Sequence, residues 1–317
     1  MLCAYICILP ISRVVSRSLK HAYTSTYKLS TYSTKDPSIK WTCRSHWCGK
    51  LREHNVGEHV RLTGWIQFLR LDNKFVLIRD ATGVVQLTIP EKGDIGRRAR
   101  EQLKDASPES SVKAIGTVRL RPEGQSNPSM VTGMVEVDIE AIETINSAIK
   151  HLPFLPSRVT NEGKEPLRMK YRSLDLRRQD LQNNLRLRSK VVMKMRQFLC
   201  DHDFIDIETP TLFRRTPGGA REFIVPTRHI GKFYSLVQSP QQFKQMLMVG
   251  GFDKYFQIAR CYRDEGAKPD RQPEFTQVDV EIAWTDRRSV QDCIEKLLRN
   301  CWPEHLDASF APSGKNR

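Results

Sequence analysis

No C-x-x-C pair occurs in this 317-residue chain, although it holds eight cysteines, and none of them has a histidine at zinc-type spacing. The expectation is no metal cage, with the cysteines as reduced structural thiols. There is no GxxxxGK[ST] and no GxGxxG, so neither a P-loop nor a Rossmann turn can grip phosphates. No apolar run approaches the ~20 residues that cross a bilayer. The longest, "MLCAYICILPI", is broken by Pro10, which argues against a membrane protein. Residues 1–35 contain no acid, yet they carry Arg13, Arg17, Lys20, Lys28 and Lys35 among many Ser and Thr. That pattern predicts a transit peptide over about 1–42 and a mitochondrial matrix destination. A secretory start is disfavoured, because no basic segment precedes the apolar run.

What the chain does have is positive charge. Lys and Arg outnumber Asp and Glu by 51 to 36, a net +15, and removing the five leader cations still leaves +10. A polyanionic partner such as nucleic acid is therefore plausible, and the length suits two domains.

From about residue 58 the sequence reads as five short strands, "EHVRLTGWIQFL", "KFVLIRD", "GVVQLTIP", "VKAIGTVRLRP" and "MVEVDIEAIETI". In the last, Val135, Val137, Ile139 and Ala141 alternate with acids, the period of a half-buried strand. "DATG" marks a hairpin between the second and third, and the polar stretch before the fourth is weakly helical. Five strands with one helical insertion, over 43–147, suit a small Greek-key barrel of the OB type, a frequent binder of single-stranded nucleic acid. Phe75 and Gln86 would form a stacking and base-reading pair if they share its outer face; the core is the equal alternative for Phe75.

Residues 148–165, with two prolines, a glycine and no periodicity, read as a linker. Over 166–303 an α+β pattern follows. Leu181, Leu185, Val192, Met195 and Leu199 recur at helical spacing, and the strand "FIDIETPTL" ends at Pro210, suited to an edge and to a dimer contact. "SPQQFKQMLMVGG" predicts a helix with Ser239 as N-cap, Pro240 first and Gly250 as stop. Two alternating runs close the domain, "DKYFQIARCYRDE" and "PEFTQVDVEIAW". In the first, Gln257, Ala259, Cys261, Arg263 and Glu265 fall on one face; in the second, Gln277, Asp279 and Glu281 do. Apolar residues on the far face would pack on helices, so the charged face lines a cleft. Arg263, Glu265, Arg271 and Gln272 there suit a ligand with phosphates and hydrogen-bond donors, ATP above all.

"CYRDEGAKPDRQPEFTQVDVE" resembles motif 2 of the class II aminoacyl-tRNA synthetases in their aspartyl form. "DFIDIETPTL" resembles motif 1, and "YRSLDLRR", "TPGGAREFIVP" and "FYSLVQSPQQFKQMLMVGG" extend the likeness over roughly 43–303. The resemblance implies an aspartate–tRNA ligase with an anticodon-binding OB-fold, an antiparallel catalytic sheet flanked by helices, a homodimer, and ATP, Mg²⁺, L-aspartate and tRNA(Asp) as ligands. It implies Arg263 on the α-phosphate and the aspartate carboxylate, Glu265 and Gln272 on ATP, and Phe275 stacked on adenine. Gln241 and Lys244 would bind aspartate, with Ser239 and Asp279 near its ammonium, and Phe75 and Gln86 would read the anticodon. The likeness departs at Gly218, where bacterial relatives carry a Glu, and at residues 304–317, which resemble nothing in the family. No segment resembling motif 3 is present. A tRNA-binding product without ligase activity is the alternative, and asparaginyl or lysyl specificity the variant within the class.

Overall fold

The computed structural model describes residues 36–157, 163–216, 219–265 and 271–303, which divide into two units on either side of the Asp175–Leu176 bond. The expected leader, Gly218 and the tail 304–317 lie outside the described residues.

In the first unit the strands are β1 (His59–Arg70), β2 (Phe75–Asp80), β3 (Gly83–Thr88), β4 (Ser111–Leu120) and β5 (Val135–Asn146), with α1 (Gly93–Leu103) between β3 and β4. They close into a ring in the order β1-β2-β3-β5-β4. The alternation read from the sequence supplies the interior: Val60, Leu62, Ile66, Val76, Ile78, Val85, Leu87, Val112, Ala114, Val135, Val137 and Ile139 form one apolar core. Burial of that surface stabilises the unit at about 25 cal/mol per Å². The expected hairpin is present, and Asp80 fixes it by accepting from the Thr82 N–H and hydroxyl at 2.7 Å each. The same carboxylate accepts from the Cys48 N–H at 2.7 Å, tying the preceding segment to the turn.

One alternation breaks. Ile115 pairs with Ala141 but Gly116 with Ile139, so a bulge at Glu140 reverses the phase of β5. Ala141 therefore points outward and Ile142 is buried instead. A side chain at residue 116 would bring a Cβ within 2.2 Å of the Asp138 carbonyl oxygen, so the bulge requires glycine there.

After the linker come two short helices, α2 (Glu165–Lys170) and α3 (Arg172–Asp175). Asp175 is fully buried and paired with Arg168 at 2.8 Å and Arg172 at 2.5 Å. This is the structural use of the "YRSLD" stretch.

The second unit contains α4 (Gln179–Asp201), β6 (Ile205–Asp206), β7 (Leu212–Phe213), β8 (Ile224–Pro226), β9 (Phe233–Leu236), α5 (Gln241–Val249), β10 (Lys254–Tyr262), β11 (Glu274–Ile282) and α6 (Arg287–Cys301). Its sheets are β11-β10-β6 and β7-β9-β8. The expected antiparallel arrangement holds except at one pair: β6 runs parallel to β10, with Tyr255 opposite Ile205. The strand reaches the sheet from the end of α4 and enters beside β10 in the same direction.

Phe256, Val280 and Ile282 lie on the far face of β10 and β11, where Met195, Phe198 and Leu199 of α4 and Cys293, Ile294 and Leu297 of α6 cover them. Only the C-terminal half of α4 serves this core; Leu185 is 55% exposed. Helix α5 starts one residue later than expected. Pro240 is its N-cap, with ψ at 24°, and Ser239 makes no capping hydrogen bond.

Candidate active site and nucleic-acid face

Antiparallel register places Gln257 opposite Asp279, Ala259 opposite Gln277, and Tyr255 opposite Glu281. Directly opposed residues project to one side of a sheet, so these side chains share the face away from α4 and α6. Helix α5 delivers a cation to that face. Lys244 Nζ lies 2.7 Å from Asp279 Oδ1 and 3.1 Å from Glu281 Oε2. Lys244 and Asp279 are only 9% and 8% exposed. Burial alone would lower the Lys244 pKa, but the hydrogen bonds and charges of Asp279 and Glu281 outweigh it, and the ammonium is held above its usual value.

Beneath this pair is a neutral polar layer. Tyr255 donates its hydroxyl to Gln257 Oε1 at 2.7 Å, and Thr209 donates to the same oxygen at 2.9 Å. Cys261 donates its thiol to Gln277 Oε1 at 3.2 Å. Burial, then the charge of Asp279, pushes the Cys261 pKa up to about 11, so it is a thiol, not a thiolate nucleophile, near neutral pH.

Arg263 follows the last residue of β10. Its N–H donates to the Pro273 carbonyl at 2.8 Å, and its guanidinium carbon sits 5.0 Å from the centre of the Phe275 ring. Planar cation and aromatic face hold each other at the strand end. Glu265 faces Arg271 at 3.8 Å across the segment 266–270, which is outside the described residues.

The structure thus brings Lys244 to Asp279, and Arg263 to Phe275. Gln241 and Gln272 are exposed and Ser239 is half-buried, and none of the three makes a described side-chain contact with those pairs. Pro210 is exposed, one residue beyond Thr209. Alternation places Glu281 on the charged face beside Asp279, but it does not foresee the pairing of Glu281 with Lys244. Nor could it place Thr209, which reaches Gln257 only through the pairing of β6 with β10.

Further hydrogen bonds join Thr216 to Glu222 and Ala220 to Gln238. Glu222 accepts from the Thr216 N–H at 3.2 Å and from its hydroxyl. Gln238 accepts from the Ala220 N–H at 2.9 Å and donates to the Ala220 carbonyl at 2.5 Å.

On the first unit, Val76, Ile78, Val85 and Leu87 point inward, which puts Phe75, Leu77 and Gln86 on the outer face. Phe75 is not in the core. Phe68 and Arg70 of β1 oppose Leu77 and Phe75, so they share that face. Lys74 Nζ lies 5.7 Å from the Phe75 ring centre, and the Arg70 guanidinium lies 5.6 Å from that of Phe68. Gln86 Nε2 donates to Glu136 Oε2 at 2.8 Å, and Arg119 pairs with the other oxygen at 3.0 Å. Glu136 is 2% exposed. Its role was missed because alternation assigned it simply to solvent. Aromatic rings interleaved with cations beside an oriented amide have the chemistry of surfaces on which unpaired bases stack.

Comparison with known proteins finds matches for a segment of each unit. Residues 60–145 match the family described as OB-fold nucleic acid binding domain, and residues 164–312 match tRNA synthetases class II (D, K and N). The mitochondrial aspartate–tRNA ligase of Homo sapiens is 49% identical over 306 residues, covering 95% of this chain and 47% of that protein. That of Rattus norvegicus is 53% identical over 273 residues, covering 86% and 41%. The aspartate–tRNA(Asp/Asn) ligase of Corynebacterium jeikeium is 46% identical over 266 residues, covering 82% and 43%. The chain therefore spans somewhat less than half the length of these relatives. Among solved structures, a putative aspartyl-tRNA synthetase from Leishmania major Friedlin superposes with a TM-score of 0.71 at 25% identity, covering 87% of this chain and 53% of that one. Asparaginyl-tRNA synthetase from Pyrococcus horikoshii, complexed with asparaginyl-adenylate, gives 0.68 at 25% identity, covering 81% and 57%. With both matched segments in this order, the chain belongs to the class II tRNA synthetases of the D, K and N group and carries an OB-fold nucleic-acid-binding domain ahead of the synthetase segment.

Proposed function

We propose that this chain serves the ATP-dependent attachment of L-aspartate to tRNA(Asp) in the mitochondrial matrix. The observation that carries the reading is Lys244, a cation of α5 buried against Asp279 on the polar face of β10 and β11, with the Arg263 guanidinium following the end of β10. Four curated mitochondrial relatives from mammals, named aspartate–tRNA ligases, support the substrate and the compartment.

The reaction needs no protein nucleophile. The α-carboxylate of aspartate attacks the α-phosphorus of ATP in line, forming the mixed anhydride aspartyl-adenylate while the bond to pyrophosphate breaks. A terminal ribose hydroxyl of the tRNA then attacks the aspartyl carbonyl and releases AMP. Positioning and charge stabilisation are what remain for the protein to supply. Arg263 neutralises both the attacking carboxylate and the α-phosphate, and Phe275 presents its ring to adenine. Lys244 meets the side-chain carboxylate of aspartate, and Asp279 accepts from its ammonium. Glu265 and Gln272 hold ATP at the strand end, and Ser239 and Gln241 border the amino acid from the start of α5.

Among the described residues no group of three or more His, Cys, Asp or Glu could cage a metal. Mg²⁺ needs only one or two carboxylates besides phosphates and water, so ATP with Glu265 would hold it. Its chemistry there is to share the phosphate charge. Pro210, exposed beyond the edge strand β6, is the proposed dimer contact. Among the described residues no helix is long and apolar enough to cross a membrane.

Aspartate-dependent exchange of labelled pyrophosphate into ATP tests the reading. Exchange that requires aspartate supports it; exchange with asparagine or lysine but not aspartate overturns the specificity. A second reading, tRNA binding without charging, is favoured by the platform of β1–β3, which the first unit completes by itself. It predicts tRNA retention with no exchange.

A further inference from the structure

Between Asp180 and Asp201, helix α4 carries five cations and no acid. Two of the five are used within the chain: Arg188 donates to the Thr276 hydroxyl at 3.0 Å, and Arg196 pairs with Asp206. The other three, Arg186, Lys190 and Lys194, recur every four residues and so form one line about 12 Å long. All three are exposed. Arg186 donates to Gln182 at 3.3 Å, and Lys190 and Lys194 have no hydrogen bond or ion pair among the described residues. Like charges four apart on a helix repel, so the line destabilises α4 and gains nothing inside the chain. On α6 the same spacing is filled by opposite signs, Asp292 and Lys296 at 2.7 Å.

The line borders a groove of about 560 Å³ between α4 and the end of α6, lined also by Leu187, Val191 and the buried Cys301 and by no acidic side chain. At 3.6 residues per turn, the exposed Leu185 projects from the opposite side of α4, so the groove is distinct from that apolar side. We propose that this groove holds a stretch of RNA backbone, with Arg186, Lys190 and Lys194 as successive phosphate contacts. The inference rests on the tRNA reading of the chain, and it adds to the aromatic face of the first unit a second RNA-binding surface, on the synthetase unit. Charges set in a line follow a strand, whereas a small anion would need them convergent. Cations on phosphates position a nucleic acid without reading its bases, so the affinity added here is independent of sequence and falls with salt.

The test is binding of a fluorescently labelled tRNA(Asp) transcript to the 317-residue chain across a salt series, with the double variant Lys190→Gln, Lys194→Gln. Neither lysine has a partner to strand, so the variant should keep the urea midpoint of the parent. The control is Arg287→Gln, Arg288→Gln, the same change of charge in the first turn of α6, about 20 Å along that helix from Cys301. Removing two phosphate contacts should weaken binding roughly tenfold at 0.1 M salt and make the slope of log affinity against log salt shallower by about 1.5. The control should change neither by as much. Equal effects in the two variants, or an unchanged slope in the lysine variant, overturn the inference. So does a lysine variant that loses binding of poly-L-glutamate but not of tRNA, which would assign the groove to an acidic protein. A wild-type dimer that the lysine substitutions dissociate without altering the slope overturns it as well, since the face would then join two copies of the chain. Pyrophosphate exchange, which needs no tRNA, separates these outcomes from failure of the ligase reading. Lysine-dependent tRNA binding without exchange sustains the groove and removes the ligase; exchange with an unchanged slope does the reverse.

Discussion

Lys244 Nζ and Asp279 Oδ1 stand 2.7 Å apart on a face where both side chains are nearly sealed from water. An ion pair so placed earns little net stability, because desolvation offsets attraction, but removing one partner leaves the other charge stranded. Its value is geometric: Asp279 and Glu281 fix where the ammonium sits on the polar face of β10 and β11.

Lys244→Ala is therefore expected to abolish aspartate activation. Truncating one member of a buried, hydrogen-bonded charge pair costs about 2–5 kcal/mol, or roughly 30-fold or more in kcat/KM for aspartate. ATP affinity should change far less. Intact aspartate-dependent exchange in the variant would remove Lys244 from the site.

Arg263→Lys keeps the charge at the end of β10 but loses the planar fork and its hold on the Phe275 ring, 5.0 Å away. The expected loss is about 10²–10³ in the rate of adenylate formation, as for other preorganised donors to developing charge. Single-turnover kinetics with saturating aspartate and ATP would show it. A variant within threefold of the parent would mean that charge alone suffices.

On the other unit, Phe75→Ala should weaken binding of a tRNA(Asp) anticodon stem-loop by about 1–3 kcal/mol, the usual worth of one base stacked on an aromatic ring. The slope of log affinity against log salt should stay constant, because no phosphate contact is lost. Lys74→Ala should lower that slope instead. Fluorescence anisotropy across a salt series distinguishes the two, and a changed slope in Phe75→Ala would contradict the stacking role.

Period-two alternation made most of this legible. It exposed the inward set of the ring, the far apolar face of β10 and β11, and the grouping of Gln257 with Cys261 and of Asp279 with Glu281, because side chains in a strand must alternate. What it could not show was pairing between distant segments. The bulge at Glu140, which buries Ile142 in place of Ala141, depends on how β5 lies against β4. Thr209 meets Gln257 only because β6 runs parallel to β10, and Glu136 is buried only because Arg119 and Gln86 reach it from two other strands. The start of α5 shifted by one residue because Pro240 took the cap position that Ser239 was expected to fill.

Alkaline pH offers a further test of the buried layer. Burial, reinforced by the charges of Asp279 and Asp206, holds the Tyr255 hydroxyl well above its ordinary pKa of 10.0. In the unfolded chain it would ionise near that ordinary value, so unfolding releases a proton once pH passes about 10. The Tyr255 contribution is then full below pH 10 and is lost as pH rises. Lys244, also raised, acts in the same direction: its contribution is complete below its ordinary 10.5 and fades as pH climbs through the higher folded value. Cys261 adds to the slope from its ordinary 9.0 up to about 11. Tyr255→Phe deletes one of these three protons and one hydrogen bond to Gln257. At pH 8 the variant should lose about 0.5–1.5 kcal/mol, but above pH 10 its stability should decline less steeply, by up to about 1.4 kcal/mol per pH unit. Urea midpoints measured from pH 8 to 11 would make the two curves converge. Parallel curves would mean that Tyr255 ionises as readily in the folded chain as in the unfolded one.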